Sequence, residues 1–237
     1  MNIIITGTTS GLGEAMAYRL SKQGHQVIHV NNHESNASVG YVCDVSNTDD
    51  VVKLRRVLRG DGRMPDCIIN NAGVNFIDWL ENTPATEWDR VMDTNAKSIF
   101  NMARTFSNHL ETKQGTMINI TSNAAWMPMT NSICYNASKA AAHMMTLQLA
   151  RELSPRGICV FGIAPNKLAG TGMSKYIEDK VCGLRGWSPE AAASYQLKAL
   201  PAGAETPPAI VAEFVAFLLG SRENHRYLTG TIIPYGK

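Results

Sequence analysis

Near the start of the chain, Ile3-Ile4-Ile5 runs straight into Thr6-Gly7-Thr8-Thr9-Ser10-Gly11-Leu12-Gly13. A short β-branched apolar run is what a strand buried on both faces requires. Ala15, Met16 and Leu20 then mark a helix that stops at Gly24, and Val27 to Val30 supplies a second strand. The result is a β-α-β unit with three glycines in its first turn. Such a unit belongs to an open, mostly parallel sheet with helices on both faces. Glycines let the backbone turn tightly and approach a pyrophosphate, whose charge then rests at the helix N-terminus. The expected contacts to a dinucleotide are Gly7, Thr9, Ser10, Gly11, Leu12 and Gly13.

The second strand should end near Asn31, where a dinucleotide fold tests the adenosine ribose. An acidic residue there bonds the 2′-hydroxyl, whereas a nearby Arg attracts a 2′-phosphate. Asn31, Asn32 and His33 are neither. The absence of a carboxylate at Asn31 tips the reading from NAD slightly toward NADP, and Glu34 pulls the other way. Residues 34–39 are too short and polar for a full helix, so the crossover to a third strand, Gly40 to Cys43, reads as a reduced loop. Asp44 and Val45 follow at that strand's end, where Asp44 serves either as a turn residue or as acceptor for an adenine amino group. Asn47 or Thr48 then caps a helix carrying Val51, Leu54 and Leu58. The fourth strand ends in Asn70-Asn71-Ala72-Gly73, and the small residues allow a ligand close to the backbone at Asn71, Ala72 and Gly73.

After Pro84 a long amphipathic pattern runs from Trp88 to Leu110, interrupted by Asn95. A polar residue on a buried stripe costs free energy unless bonded, so Asn95 either satisfies a backbone group or joins a functional network. Met117 to Ile120 is the next strand, and Ser122 lies where it ends. No Gly-x-Ser-x-Gly elbow surrounds Ser122, so it is not read as a nucleophile. Its hydroxyl suits polarising a carbonyl oxygen, and a strand-end turn is the plainer alternative. Tyr135 and Lys139 lie one helical turn apart, so both side chains reach one bound molecule. An ammonium beside a phenol favours the phenolate and brings the hydroxyl nearer to proton transfer at neutral pH. The spacing alone also fits an incidental pair on a helix start.

Taken together, these residues resemble the short-chain dehydrogenase/reductase family. Thr6-Gly7-x-x-x-Gly11-x-Gly13 looks like its cofactor motif, Asn70-Asn71-Ala72-Gly73 like its strand-stabilising motif, and Asn95, Ser122, Tyr135 and Lys139 like its catalytic tetrad. The resemblance implies a three-layer, doubly wound α/β Rossmann fold. It also implies that Lys139 holds the nicotinamide ribose, that Asn95 supports a water-mediated proton relay, and that Pro165 and Thr171 lie near the nicotinamide. A segment of about 170–201 would form a lid, and the helices after Pro84 and from Tyr135 would build a homodimer or homotetramer. The chain departs from the family at Asn166, where relatives carry Gly, at Thr171, one position late, and at Pro234-Tyr235-Gly236, a partial match to the usual terminal turn.

At 237 residues the chain fits one α/β domain spanning 1–237. Lys and Arg number 22 against 20 Asp and Glu, for a formal charge of +2. No run of like charge points to nucleic acid or a membrane, so the expected partner is a small molecule, which the resemblance makes a carbonyl or alcohol. Five scattered cysteines read as reduced thiols, and the chain opens on a strand without a basic leader, so a cytoplasmic protein is expected. No histidine pairs at metal-ligand spacing, so no metal is expected. The functional expectation is hydride transfer between NAD or NADP and a carbonyl or secondary alcohol, with Tyr135 as general acid and base. The alternatives are a non-catalytic dinucleotide-binding regulator and an epimerase or isomerase of the same family.

Overall fold

The computed structural model describes residues 1–34, 40–198, 200 and 202–236. Its centre is a seven-stranded sheet in the order β3-β2-β1-β4-β5-β6-β7. The strands are β1 (Asn2–Thr6), β2 (Gln26–Asn31), β3 (Gly40–Val42), β4 (Cys67–Asn70), β5 (Thr116–Ile120), β6 (Cys159–Pro165) and β7 (Ile232–Tyr235). Every neighbouring pair is parallel. The helices are α1 (Gly11–Lys22), α2 (Thr48–Gly60), α3 (Ala85–Met92), α4 (Ser98–Lys113), α5 (Ile133–Leu153), α6 (Gly172–Arg185), α7 (Pro189–Lys198), α8 (Pro208–Leu219) and the short α9 (Arg222–His225).

Side chains alternate across a strand, and β1 shows how that builds three layers. Ile3 and Ile5 pack with Leu12, Met16 and Leu20 of α1 and Val211 and Val215 of α8. Ile4, between them, faces the opposite layer with Leu54 and Leu58 of α2 and Met102 and Phe106 of α4. All three isoleucines are fully buried, which is why this strand reads as an unbroken apolar run. The strand order reverses between β1 and β4, so the chain leaves their carboxyl ends in opposite directions and opens a crevice there.

Asn47 is the cap of α2, its side chain accepting from the backbone of Asp49 and Asp50. The last strand begins at Ile232, after Gly230 turns with φ +80°. The reduced-loop reading of 34–39 falls mostly outside the described residues. After Pro84 the expected single helix is α3 and α4 joined by a π-turn at Asp93–Lys97. The wider turn carries Asn95 inward, to 2% exposure. Among the described residues no helix is long and apolar enough to cross a membrane.

The first turn depends on glycine in two ways. Gly7 adopts φ +71°, and a Cβ on Gly13 would overlap the Gly7 carbonyl oxygen and come within 2.6 Å of Asn71 Nδ2. Gly60, at the end of α2, has nothing within 4 Å of such an atom. Gly13→Ala should therefore destabilise the protein by about 1–3 kcal/mol, whereas Gly60→Ala should be neutral or stabilise by up to ~1 kcal/mol. Urea unfolding of the two variants checks this, and equal effects would refute the packing role of Gly13.

Candidate active site

The crevice is a cleft of about 970 Å³ at the carboxyl ends of the strands. It brings together Gly7, Thr9, Ser10, Gly11, Leu12 and Gly13 from the first turn, Asp44 and Val45 after β3, and Asn71, Ala72 and Gly73 after β4. Ser122, Tyr135, Lys139, Pro165 and Thr171 border the same space. Asn95 does not. It lies beneath the floor, within 3.3 Å of where a Cβ on Gly73 would sit.

At the glycine-rich end, Ser10 precedes α1 without any side-chain capping bond, so the helix presents its N-terminal dipole to the cleft uncapped. The turn is tied to β4 by Thr6, whose hydroxyl oxygen accepts from the backbone N–H of Asn71 and of Ala72 at 2.9 Å each. Asn71 returns the contact, its amide donating to the carbonyls of Thr6 and Gly7. This cradle of tight backbone, uncapped helix end and small residues fits a pyrophosphate.

The ribose end differs from expectation. Asn31 borders the cleft, but its amide turns back under the glycine turn: Oδ1 accepts from Thr8 N at 2.7 Å, and Nδ2 donates to Thr8 Oγ1 at 3.1 Å. His29 Nδ1 also lies 2.9 Å from that hydroxyl. Asn31 thus braces the loop, and the missing carboxylate at this position no longer argues for NADP. Asn32, exposed, also borders the cleft. Asp44 bonds the backbone and hydroxyl of Ser46, as a strand-end turn residue does, while remaining at the cleft wall.

The polar centre is built by three elements. Asn95 Oδ1 accepts from Val74 N at 2.8 Å, and its Nδ2 donates to Val74 O and to Ser138 Oγ at 2.9 Å each. It satisfies the backbone and joins a network at once, fixing the loop after β4 to α5. Ser138 sits between Tyr135 and Lys139, and nothing local in the sequence marked it. Asn136 pins the loop after Ser122 by donating to the carbonyls of Ala124 and Met127.

Lys139 is 4% exposed, and its ammonium donates to Ile120 O at 3.0 Å. Burial pulls its pKa down to about 8. The ammonium lies 5.7 Å from the centre of the Tyr135 ring. The expectation that it depresses the tyrosine is not met: burial raises the Tyr135 pKa, and a hydrogen bond with Ser122 pulls it back only in part. Burial is the larger of the two effects, so the phenol stays above its ordinary range.

Thr171 caps α6 by accepting from Ser174 N, and its methyl group lies 3.5 Å from where a Cβ on Gly11 would sit. The late threonine therefore still faces the glycine turn. Lys167, beside it on the cleft wall, pairs with Glu178 of α6 at 2.6 Å and Glu205 at 2.5 Å. Among the described residues no group of three or more His, Cys, Asp or Glu could hold a metal ion.

A family model described as short chain dehydrogenase matches residues 1–181. Sorbitol-6-phosphate 2-dehydrogenase of Klebsiella pneumoniae is 31% identical over 99% of this chain and 95% of its own. A 3-oxoacyl-(acyl-carrier-protein) reductase of Vibrio cholerae is 28% identical over 96% of this chain and 92% of its own. Among solved structures, an NAD⁺-bound xylitol dehydrogenase superposes with a TM-score of 0.89, at 24% identity, over 99% of this chain and 97% of that one.

The buried ammonium makes stability depend on pH in a defined sense. The folded protein releases this proton near pH 8 and the unfolded chain near 10.5, so between them the unfolded state holds more protons. This group therefore favours folding increasingly as pH rises through that window, and below it the burial cost is fully present. The unfolding free energy of Lys139→Met minus that of wild type should fall by ~1.4 kcal/mol per pH unit from about pH 8 upward. Urea titrations near pH 7 and near pH 10 measure it, and a pH-independent difference would show that the ammonium is not desolvated.

Proposed function

The chain belongs to the short chain dehydrogenase family and is an NAD(P)-dependent oxidoreductase, and we propose that it interconverts a carbonyl and a secondary alcohol through Tyr135. The observation that carries this reading is convergence: Tyr135, Ser122 and Lys139 meet in the cleft that also holds the glycine turn and the uncapped end of α1. The residues fit the nicotinamide dinucleotide, with Gly7 to Gly13 for the pyrophosphate, Lys139 for the ribose hydroxyls, and Pro165 and Thr171 beside the ring. When bound, it gives or takes the hydride. NAD and NADP are both compatible with Asn32 and His33 at the ribose.

In carbonyl reduction, Tyr135 donates its phenolic proton to the oxygen as that oxygen becomes a hydroxyl. Ser122 donates a hydrogen bond to the same oxygen and holds it in line with the phenol. Lys139 supplies positive charge on the side of Ile120 and steadies the phenolate that remains. Asn95 keeps the floor in place beneath Gly73 and positions Lys139 through Ser138 and α5. The raised pKa of Tyr135 leaves the phenol protonated at neutral pH, the form that reduction uses. Helices α6 and α7 close over the substrate as a lid and exclude water, with Lys167 and Tyr176 anchoring α6. The exposed faces of α4 and α5, with Phe100 and Met144, serve a homodimer or homotetramer. A pure nucleotide-binding regulator needs the cradle but not the paired hydroxyls of Ser122 and Tyr135.

Tyr135→Phe should bind NADH or NADPH with a Kd within about twofold of wild type and lose turnover by about 100-fold or more. Nucleotide fluorescence titration and a carbonyl panel followed by nicotinamide absorbance read the two quantities. Retained turnover rules out the tyrosine mechanism, and loss of both shows a structural defect. In wild type, alcohol oxidation should climb with pH as the phenol ionises, a dependence the variant lacks.

A further inference from the structure

Two loops that border the cleft carry polar groups that the mechanism leaves unmatched. Among the described residues, nine buried side-chain nitrogen or oxygen atoms have no hydrogen-bond partner, and five of them belong to Asn75, Asn131 and Ser132. The concentration is local, because the two loops that hold these residues are joined by a bond from Asp78 N to Asn131 O at 3.0 Å. Asn75 and Ser132 both border the cleft, at 8% and 2% exposure. Asn75 follows the strand-end glycine by two positions, and Ser132 lies one helical turn before Tyr135.

Neither residue has a structural duty for its side chain. Ser132 occupies the cap position of α5, where a serine ordinarily accepts from the first turn, and makes no such bond. Both amide atoms of Asn75 are unpaired, while its backbone carbonyl is held by Arg90 at 3.2 Å. A buried polar group without a partner is costly, and each such group in a folded protein calls for an explanation. Turning either side chain toward the cleft breaks no hydrogen bond, since there is none to break.

We propose that Asn75 and Ser132 recognise hydroxyl groups next to the reacting carbon, so that the substrate is a small polyol or the matching hydroxyketone; this rests on the oxidoreductase reading above. An amide offers a donor and an acceptor, and a hydroxyl answers both, which a hydrocarbon or a thioester tail does not. Met173, Ile177 and Val181 of α6 supply apolar surface to the same cleft, beside Ser174 and Arg185. That surface covers the aliphatic face of such a molecule while Asn75 and Ser132 hold its hydroxylated edge.

The test compares xylitol with a secondary pentanol, the same carbon chain without the neighbouring hydroxyls, using both oxidised nucleotides. Wild type should prefer xylitol in kcat/KM. Asn75→Ala and Ser132→Ala should each lower the xylitol-to-pentanol ratio about tenfold, the loss of one hydrogen bond. The Tm of Ser132→Ala should equal or exceed that of wild type, because the hydroxyl has no partner in the folded protein. An unchanged ratio in both variants, a wild-type preference for the pentanol, or a lowered Tm with equal losses on both substrates overturns the assignment. Turnover confined to ketones without hydroxyls also overturns it and leaves the oxidoreductase reading standing. Absence of turnover on every alcohol and carbonyl with either nucleotide removes both.

Discussion

A lysine ammonium kept out of water at the carboxyl end of β5 is the constraint around which the site is arranged. Its bond to Ile120 O satisfies one of three donors, and burial has already brought its pKa to about 8. Holding such a group costs free energy that the surrounding packing must offset. What keeps it in place is geometry more than charge: α5 leaves Tyr135, Ser138 and Lys139 at successive points of one turn, and Ser138 is bonded by Asn95. In the proposed function two ribose hydroxyls take the remaining donors, and nucleotide binding would then offset the cost of the site.

The π-turn belongs to the same logic. A regular helix from Pro84 to Lys113 would rotate Asn95 away from Val74, and the loop after β4 would lose both of its amide bonds. The extra residue in the turn brings Asn95 under Gly73, where it holds the loop from below while Thr6 and Asn71 hold it from the side. Three elements distant in sequence are thereby locked at the point where the sheet order reverses. The phenol and its serine are then positioned by backbone that has little room to move.

Much of this could be read from the sequence where the signal is local. Ile3 to Ile5, the glycine spacing and the amphipathic runs set the parallel sheet and its two helical layers, because strand and helix periodicities are short-range properties. Tyr135, Ser122, Lys139 and the glycines were legible because their spacing within one element, or their place at a strand end, already brings them to the same edge. The bonds of Asn31 to Thr8 are not legible, for the opposite reason. Its partner is Thr8, brought beside it only when β1 and β2 pair, and no local pattern distinguishes a ribose contact from a brace under the loop. The contacts of Ser138 and Lys167 are illegible likewise, since Asn95 and Glu205 are brought to them only by the fold. The direction of the tyrosine pKa is not legible either, because adjacency to a cation is visible in sequence and desolvation is not.

Two of the departures from the family pattern prove to be one feature. Asn166 stands where relatives carry Gly, and its amide donates to the Gly236 carbonyl while its Oδ1 accepts from Thr206 at 2.9 Å. Gly236 adopts φ +78°, and a Cβ there would overlap the Thr206 hydroxyl and reach within 2.9 Å of Asn166 Oδ1, so the unusual asparagine and the altered terminal turn require each other. Leu168 and Thr206 form a bridge just beyond, and Thr171 begins α6 three residues later. The chain's last turn is therefore clasped to the strand end that borders the cleft and, through the same short segment, to the helix that covers it. An asparagine in this position gives up the freedom of a glycine and gains a fixed connection between the terminal turn, the end of β6 and α6.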